Sequence, residues 1–190
     1  MQFELNKIQQ STVNKLIDKY KNEKQEGRLD KAYTNGITAT ECKVLESVFA
    51  ELLPNQKISH AMVLVEFIPL AIHTDWPNNN DKNPASVMLI PYETCKANTL
   101  IFNEQGTTNS AGMLDNYPIV ENHIDETTYD QYLSHQKWNK VQKLSLYEIY
   151  KWQHGTGVIW DRRKLHCSDN FLKNGVTTKI ALTIFTEHKE

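Results

Sequence analysis

The sequence predicts a mainly β fold with flanking helices, on three observations. From residue 58 onward, short runs rich in Val, Ile, Leu and Phe recur at 62–72, 86–92, 99–102, 158–160, 165–167 and 179–186, enough for six to eight strands. Turn chemistry separates them: the polar stretch 77–84, Gly155-Thr156-Gly157 and Lys173-Asn174-Gly175. Ahead of them lie two segments with helical rather than alternating period. Short strands at turn-punctuated intervals argue for a sandwich or barrel-like β architecture, with the helices packed on its outside.

The elements follow in order. Residues 6–25 predict a helix, because Ile8, Val13, Leu16, Ile17 and Tyr20 recur at helical spacing among Lys, Gln and Asn; Gly27 is a natural end for it. Asn35-Gly36 is a turn signal. A second helix starts at Thr38 or Thr40 and runs to residue 53. Thr38 and Glu41 have the spacing of a capping box, Val44, Leu45, Val48, Phe49 and Leu52 form the apolar stripe, and Pro54-Asn55 stops it. Residues 144–152 fit a short helix or a strand equally well. Between the strands, 105–143 is long and weakly patterned. Segments of that length inside a domain are usually functional, and a lid over a site is the expected role.

With 190 residues the chain suits one domain, divided into N-terminal helices (1–57), a β core (58–104 and 144–187) and the insertion (105–143). The net charge of −2 disfavours a nucleic-acid partner. Three cysteines with no CxxC spacing read as free thiols in a reducing compartment. The first twenty residues hold no apolar signal core, and the longest apolar run is interrupted by Glu66. The expectation is a cytoplasmic protein with no membrane partner and a small-molecule or peptide substrate; the sequence gives no oligomeric state.

The chemistry concentrates in two places. Ile72-His73-Thr74-Asp75 ends the first apolar run, and on extended backbone residues i and i+2 share a face, so an imidazole and a carboxylate project together. A second histidine, His166, stands in Leu165-His166-Cys167-Ser168. Two histidines and one carboxylate on one face of a metal leave the opposite positions open, which is the ligand set of non-haem Fe(II) oxygenases. A lone His-x-Asp is common by chance and is more often a hydrogen-bonded surface histidine. The strand before it and the Gly-led strand leading to His166 raise its weight here.

These residues, with the stretch from Gly155 to Phe185, resemble the Fe(II)/2-oxoglutarate-dependent dioxygenase superfamily. Gly157-Val158-Ile159-Trp160-Asp161 before Leu165-His166-Cys167-Ser168 is similar to the strand pair that delivers the distal histidine, and Lys179–Phe185 to the last core strand. The resemblance spans 60–186 and implies a double-stranded β-helix, that is, a jelly roll of cupin-like form. It implies His73, Asp75 and His166 as ligands of Fe(II), with O2 and 2-oxoglutarate as co-substrates and ascorbate as a candidate reductant. It further implies Lys179 as the anchor for the distal carboxylate of 2-oxoglutarate. The usual residue there is arginine, whose fork grips a carboxylate with two bonds where lysine offers a point charge. Arg162 and Arg163 are alternative anchors. Thr183, on the same strand face, and Thr99 and Tyr92, on neighbouring strands, are further candidate co-substrate contacts. The implied reaction is oxidative decarboxylation of 2-oxoglutarate to succinate, coupled to hydroxylation of a substrate or demethylation at nitrogen. Trp76 and the 77–84 loop are expected at the mouth.

The remaining histidines, His60, His123, His135, His154 and His188, have no matching partner in the sequence. Cys167 should face away from the metal by alternation, and Trp138, Trp152 and Trp160 read as packing. Two other functions compete: a jelly-roll binding module that performs no oxidation, and a cupin-type metal enzyme without a 2-oxo acid. The latter expects a His-x-His pair where this chain has His-x-Asp.

Overall fold

A computed structural model describes residues 1–23, 32–75, 83–106 and 123–189. Its strands form two antiparallel sheets facing each other. The larger contains β1 (Gln2–Glu4), β2 (Ala32–Gly36), β3 (Gln56–Glu66), β4 (Pro84–Pro91), β7 (Thr156–Asp161) and β9 (Lys179–His188), in the order β1-β7-β4-β9-β3-β2. The smaller contains β5 (Asn98–Gln105), β6 (Leu146–Lys151) and β8 (Lys164–Ser168), in the order β6-β5-β8. Two sheets interleaved along the chain in this way make the jelly-roll architecture the sequence anticipates.

Alternation along the strands assigns each face. On β9, Leu182 and Ile184 point outward while Ala181 and Phe185 point between the sheets. On β4, Met88 and Ile90 point outward while Val87 and Leu89 point inward. The inter-sheet core adds Ile101, Tyr150, Trp152, Val158, Trp160 and Phe171, so Trp152 and Trp160 do pack inside the molecule. The outer face of the larger sheet is covered by α1 (Lys7–Tyr20) and α2 (Ala39–Val48), through Val13, Ile17, Leu45 and Phe49, all fully buried. Burying such a side chain is worth about 1.5–3 kcal/mol. Both helices start on capping boxes, Asn6 with Gln9 and Thr38 with Glu41. Ile8 and Val44, counted in the apolar stripes by spacing, are exposed.

The outer face of the smaller sheet carries a third apolar layer. Leu100, Phe102, Leu165 and Cys167 pack there against Ile124, Leu133, Val141 and Leu144. The described part of the insertion is therefore a cover for this sheet: a helical turn α3 (Glu126–Thr128) running into a π-turn (Tyr129–Leu133), then α4 (Trp138–Val141). Trp76 and 77–82 lie outside the described residues, as do 107–122 and Gly27.

Two strand expectations change. The strand 62–72 is β3, which starts earlier and ends at Glu66. Asn35-Gly36 ends strand β2, paired with Val63 and Met62, and is not a turn. Residues 144–152, open between helix and strand in the sequence, hold the strand β6. The N-terminal strand β1, which the sequence did not announce, is too short to carry a pattern. Its Phe3 ring lies against Gly157 so closely that a Cβ there would overlap it, which accounts for a glycine in the middle of β7.

Candidate metal centre

His73, Asp75 and His166 each offer a ligand atom, and these atoms lie within 4.8 Å of one another. No other group of three or more such side chains is found among the described residues. The backbone brings them together. After β3 ends, the chain turns and residues 72–75 run antiparallel beside β8. His73 N–H donates to His166 O at 3.0 Å, and His166 N–H returns to His73 O at 2.9 Å. This stretch thereby extends the smaller sheet past β8. Thr74 is buried, and His73 and Asp75 share the opposite face, as alternation requires.

Each imidazole is oriented by a carbonyl. His73 Nδ1 lies 2.7 Å from Ala71 O and His166 Nδ1 lies 3.1 Å from Lys164 O. A carbonyl can only accept, so both Nδ1 atoms carry the proton and both Nε2 lone pairs are left for a metal. Asp75 Oδ2 is 3.2 Å from His166 Nε2, and Asp75 Oδ1 is 3.8 Å from His73 Nε2. Asp75 itself is held by Arg162. Its N–H donates to Arg162 O at 3.1 Å, and Arg162 Nε donates to Asp75 O at 3.1 Å. Arg162 is buried, and its Nη1 also reaches Thr186 O at 3.2 Å. The guanidinium thus ties the His-x-Asp segment to β9.

The electrostatics suit a cation. Burial pushes His166 down, but the Asp75 carboxylate more than offsets it, and the imidazole sits above its usual pKa. Burial raises Asp75, and the same pairing outweighs that, leaving its carboxyl below the usual range. Burial and the adjacent His166 both lower His73. The side chain of His73 is 31% exposed, against 8% for His166, so the centre opens to solvent on the His73 side.

Behind the centre lies a cavity of about 400 Å³ between the sheets. Its walls are mostly apolar, with Met62, Leu64, Leu70, Leu89, Trp160 and Phe185 among them; its polar groups are Glu66, Thr99, Ser168 and Thr183. Trp160 stands edge-on to the His166 ring, with centroids 5.0 Å apart.

The candidate co-substrate contacts separate. Thr183 lines the cavity with its buried hydroxyl unpartnered among the described residues; Thr99 also lines it, and its Oγ1 accepts from Trp152 Nε1 at 2.9 Å. Tyr92 does not reach the cavity. Its hydroxyl donates to Asp18 at 2.7 Å on the helical side, because Tyr92 continues the outward parity of Met88 and Ile90. Arg163 is engaged with Asp161, and Arg162 is not part of the cavity wall. Cys167 packs outward in the third layer, and burial pushes its thiol far up.

Lys179 is 1% exposed at the inner end of β9, with its ammonium 4.2 Å from the Trp152 ring centroid. Directly opposite on β3 is Glu66, whose Oε2 is 3.1 Å from Lys179 Nζ. The pair is charge-matched but poorly aligned, and Lys179 Nζ completes no hydrogen bond. Ser168 Oγ donates to the same Glu66 oxygen at 2.5 Å. Glu66 and Ser168 carried no signal as site residues; only their inward parity, shared with Met62 and His166, could have marked them.

No protein-family model matches the sequence, and no curated protein matches it. Solved structures do match the fold. A non-heme alpha ketoglutarate dependent carbocyclase, SnoK, from nogalamycin biosynthesis superposes with TM-score 0.59 at 10% identity, over 99% of this chain and 79% of that one. A Pseudomonas putida prolyl-4-hydroxylase gives 0.54 at 8%, over 100% and 92%. The epimerase SnoN, in complex with Fe3+, alpha ketoglutarate and nogalamycin RO, gives 0.53 at 8%, over 93% and 74%. At these identities the likeness establishes the fold: this chain has the architecture of the Fe(II)/2-oxoglutarate oxygenases.

Proposed function

We propose that this chain is a non-haem Fe(II)- and 2-oxoglutarate-dependent oxygenase that hydroxylates or demethylates a small-molecule or peptide substrate. The observation that carries this reading is the convergence of His73 Nε2, His166 Nε2 and an Asp75 oxygen at the mouth of the cavity between the sheets. Both imidazoles are set as ligands by their Nδ1 bonds, and a mixed nitrogen and oxygen set with no thiolate suits Fe(II). Bound iron with a 2-oxo acid and O2 would supply the oxidation, with decarboxylation to succinate.

The protein's part is positional. His73, Asp75 and His166 hold one face of the cation. Arg162 fixes the backbone of Asp75. Trp160, Phe185 and Leu89 keep water from the interior, which protects a reactive centre from side reactions. The fold shared with SnoK, the prolyl hydroxylase and SnoN supports the superfamily, and their differing reactions leave hydroxylation and demethylation as part of the proposal.

The test is succinate formation from 2-oxoglutarate in the presence of Fe(II) and ascorbate, with Mn(II) binding followed in parallel. Succinate above the metal-free background supports the reading. Metal binding with no succinate, even uncoupled from a substrate, would favour the second reading: a cupin-type metal enzyme that uses no 2-oxo acid. That alternative draws on one observation, the pairing of Lys179 with Glu66.

A further inference from the structure

Resting on that reading, we propose that Glu66 is a built-in occupant of the seat for the co-substrate's distal carboxylate, and that 2-oxoglutarate binds by exchanging its own carboxylate for that of Glu66 on Lys179 and Ser168. Glu66 would then set how tightly this chain holds a dicarboxylic 2-oxo acid.

The geometry has three parts. First, Lys179 and Glu66 are register partners across β9 and β3, on the inner face of the larger sheet. The carboxylate, not the ammonium, forms the cavity wall. An acid entering past the metal therefore meets a negative group where the fold otherwise offers a positive one. Second, the seat is only half satisfied. Lys179 Nζ lies 3.1 Å from Glu66 yet completes no hydrogen bond, and the Thr183 hydroxyl, on the same face of β9, is buried without a partner among the described residues. Buried donors left in this state favour any acceptor that meets them in better alignment. Third, Glu66 is the last residue of β3 and the chain leaves the strand immediately after it. Its side chain can yield without dismantling the central ladder.

If Glu66 stayed in place, a second carboxylate would share one ammonium with it, and like-charge juxtaposition in a buried site is costly. A 2-oxo acid of the same length with no distal carboxylate meets neither penalty. The result is a seat with reduced preference for the dicarboxylic acid.

The test compares the protein with its Glu66→Gln variant, both loaded with Mn(II), by calorimetric titration with 2-oxoglutarate and with 2-oxopentanoate. Glutamine keeps the size and an acceptor for Ser168 while removing the charge. The expected result is 2-oxoglutarate binding at least about tenfold tighter in the variant, with 2-oxopentanoate changed by less than about twofold. Equal or weaker 2-oxoglutarate binding in a variant that still binds Mn(II) would overturn the inference and leave the oxygenase reading intact. Failure of both proteins to bind either acid, with Mn(II) bound, would overturn both. A crystal structure of the unmodified protein with Mn(II) and 2-oxoglutarate makes the outcome independent of the variant's folding. Glu66 displaced from Lys179 by the ligand carboxylate supports the exchange, and Glu66 still on Lys179 refutes it.

Discussion

At the residue scale, the centre separates ligands from supports. His73→Ala and Asp75→Ala should each abolish metal-dependent succinate formation and Mn(II) binding while leaving thermal unfolding nearly unchanged, since both side chains are partly exposed and neither belongs to an apolar cluster. Unfolding monitored by circular dichroism beside a metal titration checks both halves of that statement. Arg162 should behave in the opposite way. Replacing it with alanine leaves the carbonyls of Asp75 and Thr186 without their donor, at about 1–3 kcal/mol for each buried group left unsatisfied. Arg162→Ala should therefore lower stability and weaken Mn(II) binding together, and lysine, lacking the fork, should not restore it. Acidity enters through His166. Its pKa is raised, so it holds a proton to a higher pH than an ordinary imidazole, whereas His73, with its lowered pKa, is already neutral there. A metal must displace the His166 proton first. Mn(II) affinity should fall as pH drops through the His166 pKa, with a slope of about tenfold per unit for a single displaced proton. A slope near a hundredfold at the same pH would show that both histidines are protonated.

At the scale of elements, legibility followed periodicity. The first helix was readable from its apolar spacing, and the second also from its cap, where Thr38 and Glu41 announce the start of α2 in four residues. Thr38→Ala should cost about 1 kcal/mol, visible in denaturant unfolding, and should leave metal binding untouched. Strands β4, β5, β8 and β9 were readable because each is apolar on at least one face. Strand β1 was not, because three residues carry no pattern, and β2 was not, because its Asn35-Gly36 pair imitates a turn. The insertion was expected to close over the site. Its described residues 123–143 supply Leu133 and Val141 to the outer face of the sheet bearing His166, while 107–122, on which the rest of that expectation falls, lie outside the described residues; no short-range signal says which surface an amphipathic segment will cover.

Across the whole molecule, the candidate ligands were legible and the surroundings of Lys179 were not. His-x-Asp and the later histidine are residue types whose spacing carries chemistry. The partner of Lys179 depends on the register of β3 against β9, which is a long-range property. That pair also bears on stability. Removing Lys179 alone strands a buried carboxylate, and breaking a buried pair costs about 3–5 kcal/mol. Lys179→Met should thus be strongly destabilised, whereas the double variant Lys179→Met with Glu66→Met should recover most of the loss in thermal unfolding. No helix among the described residues is long and apolar enough to cross a membrane.

The reciprocal bonds between His73 and His166 make the centre a matter of alignment between two neighbouring backbones. A slip of one residue would set Ile72 or Thr74 opposite His166 and turn imidazole and carboxylate out of the cavity together. Damage to this edge should then appear in a population as a mixture of fully competent and wholly inert molecules, not as a uniform weakening.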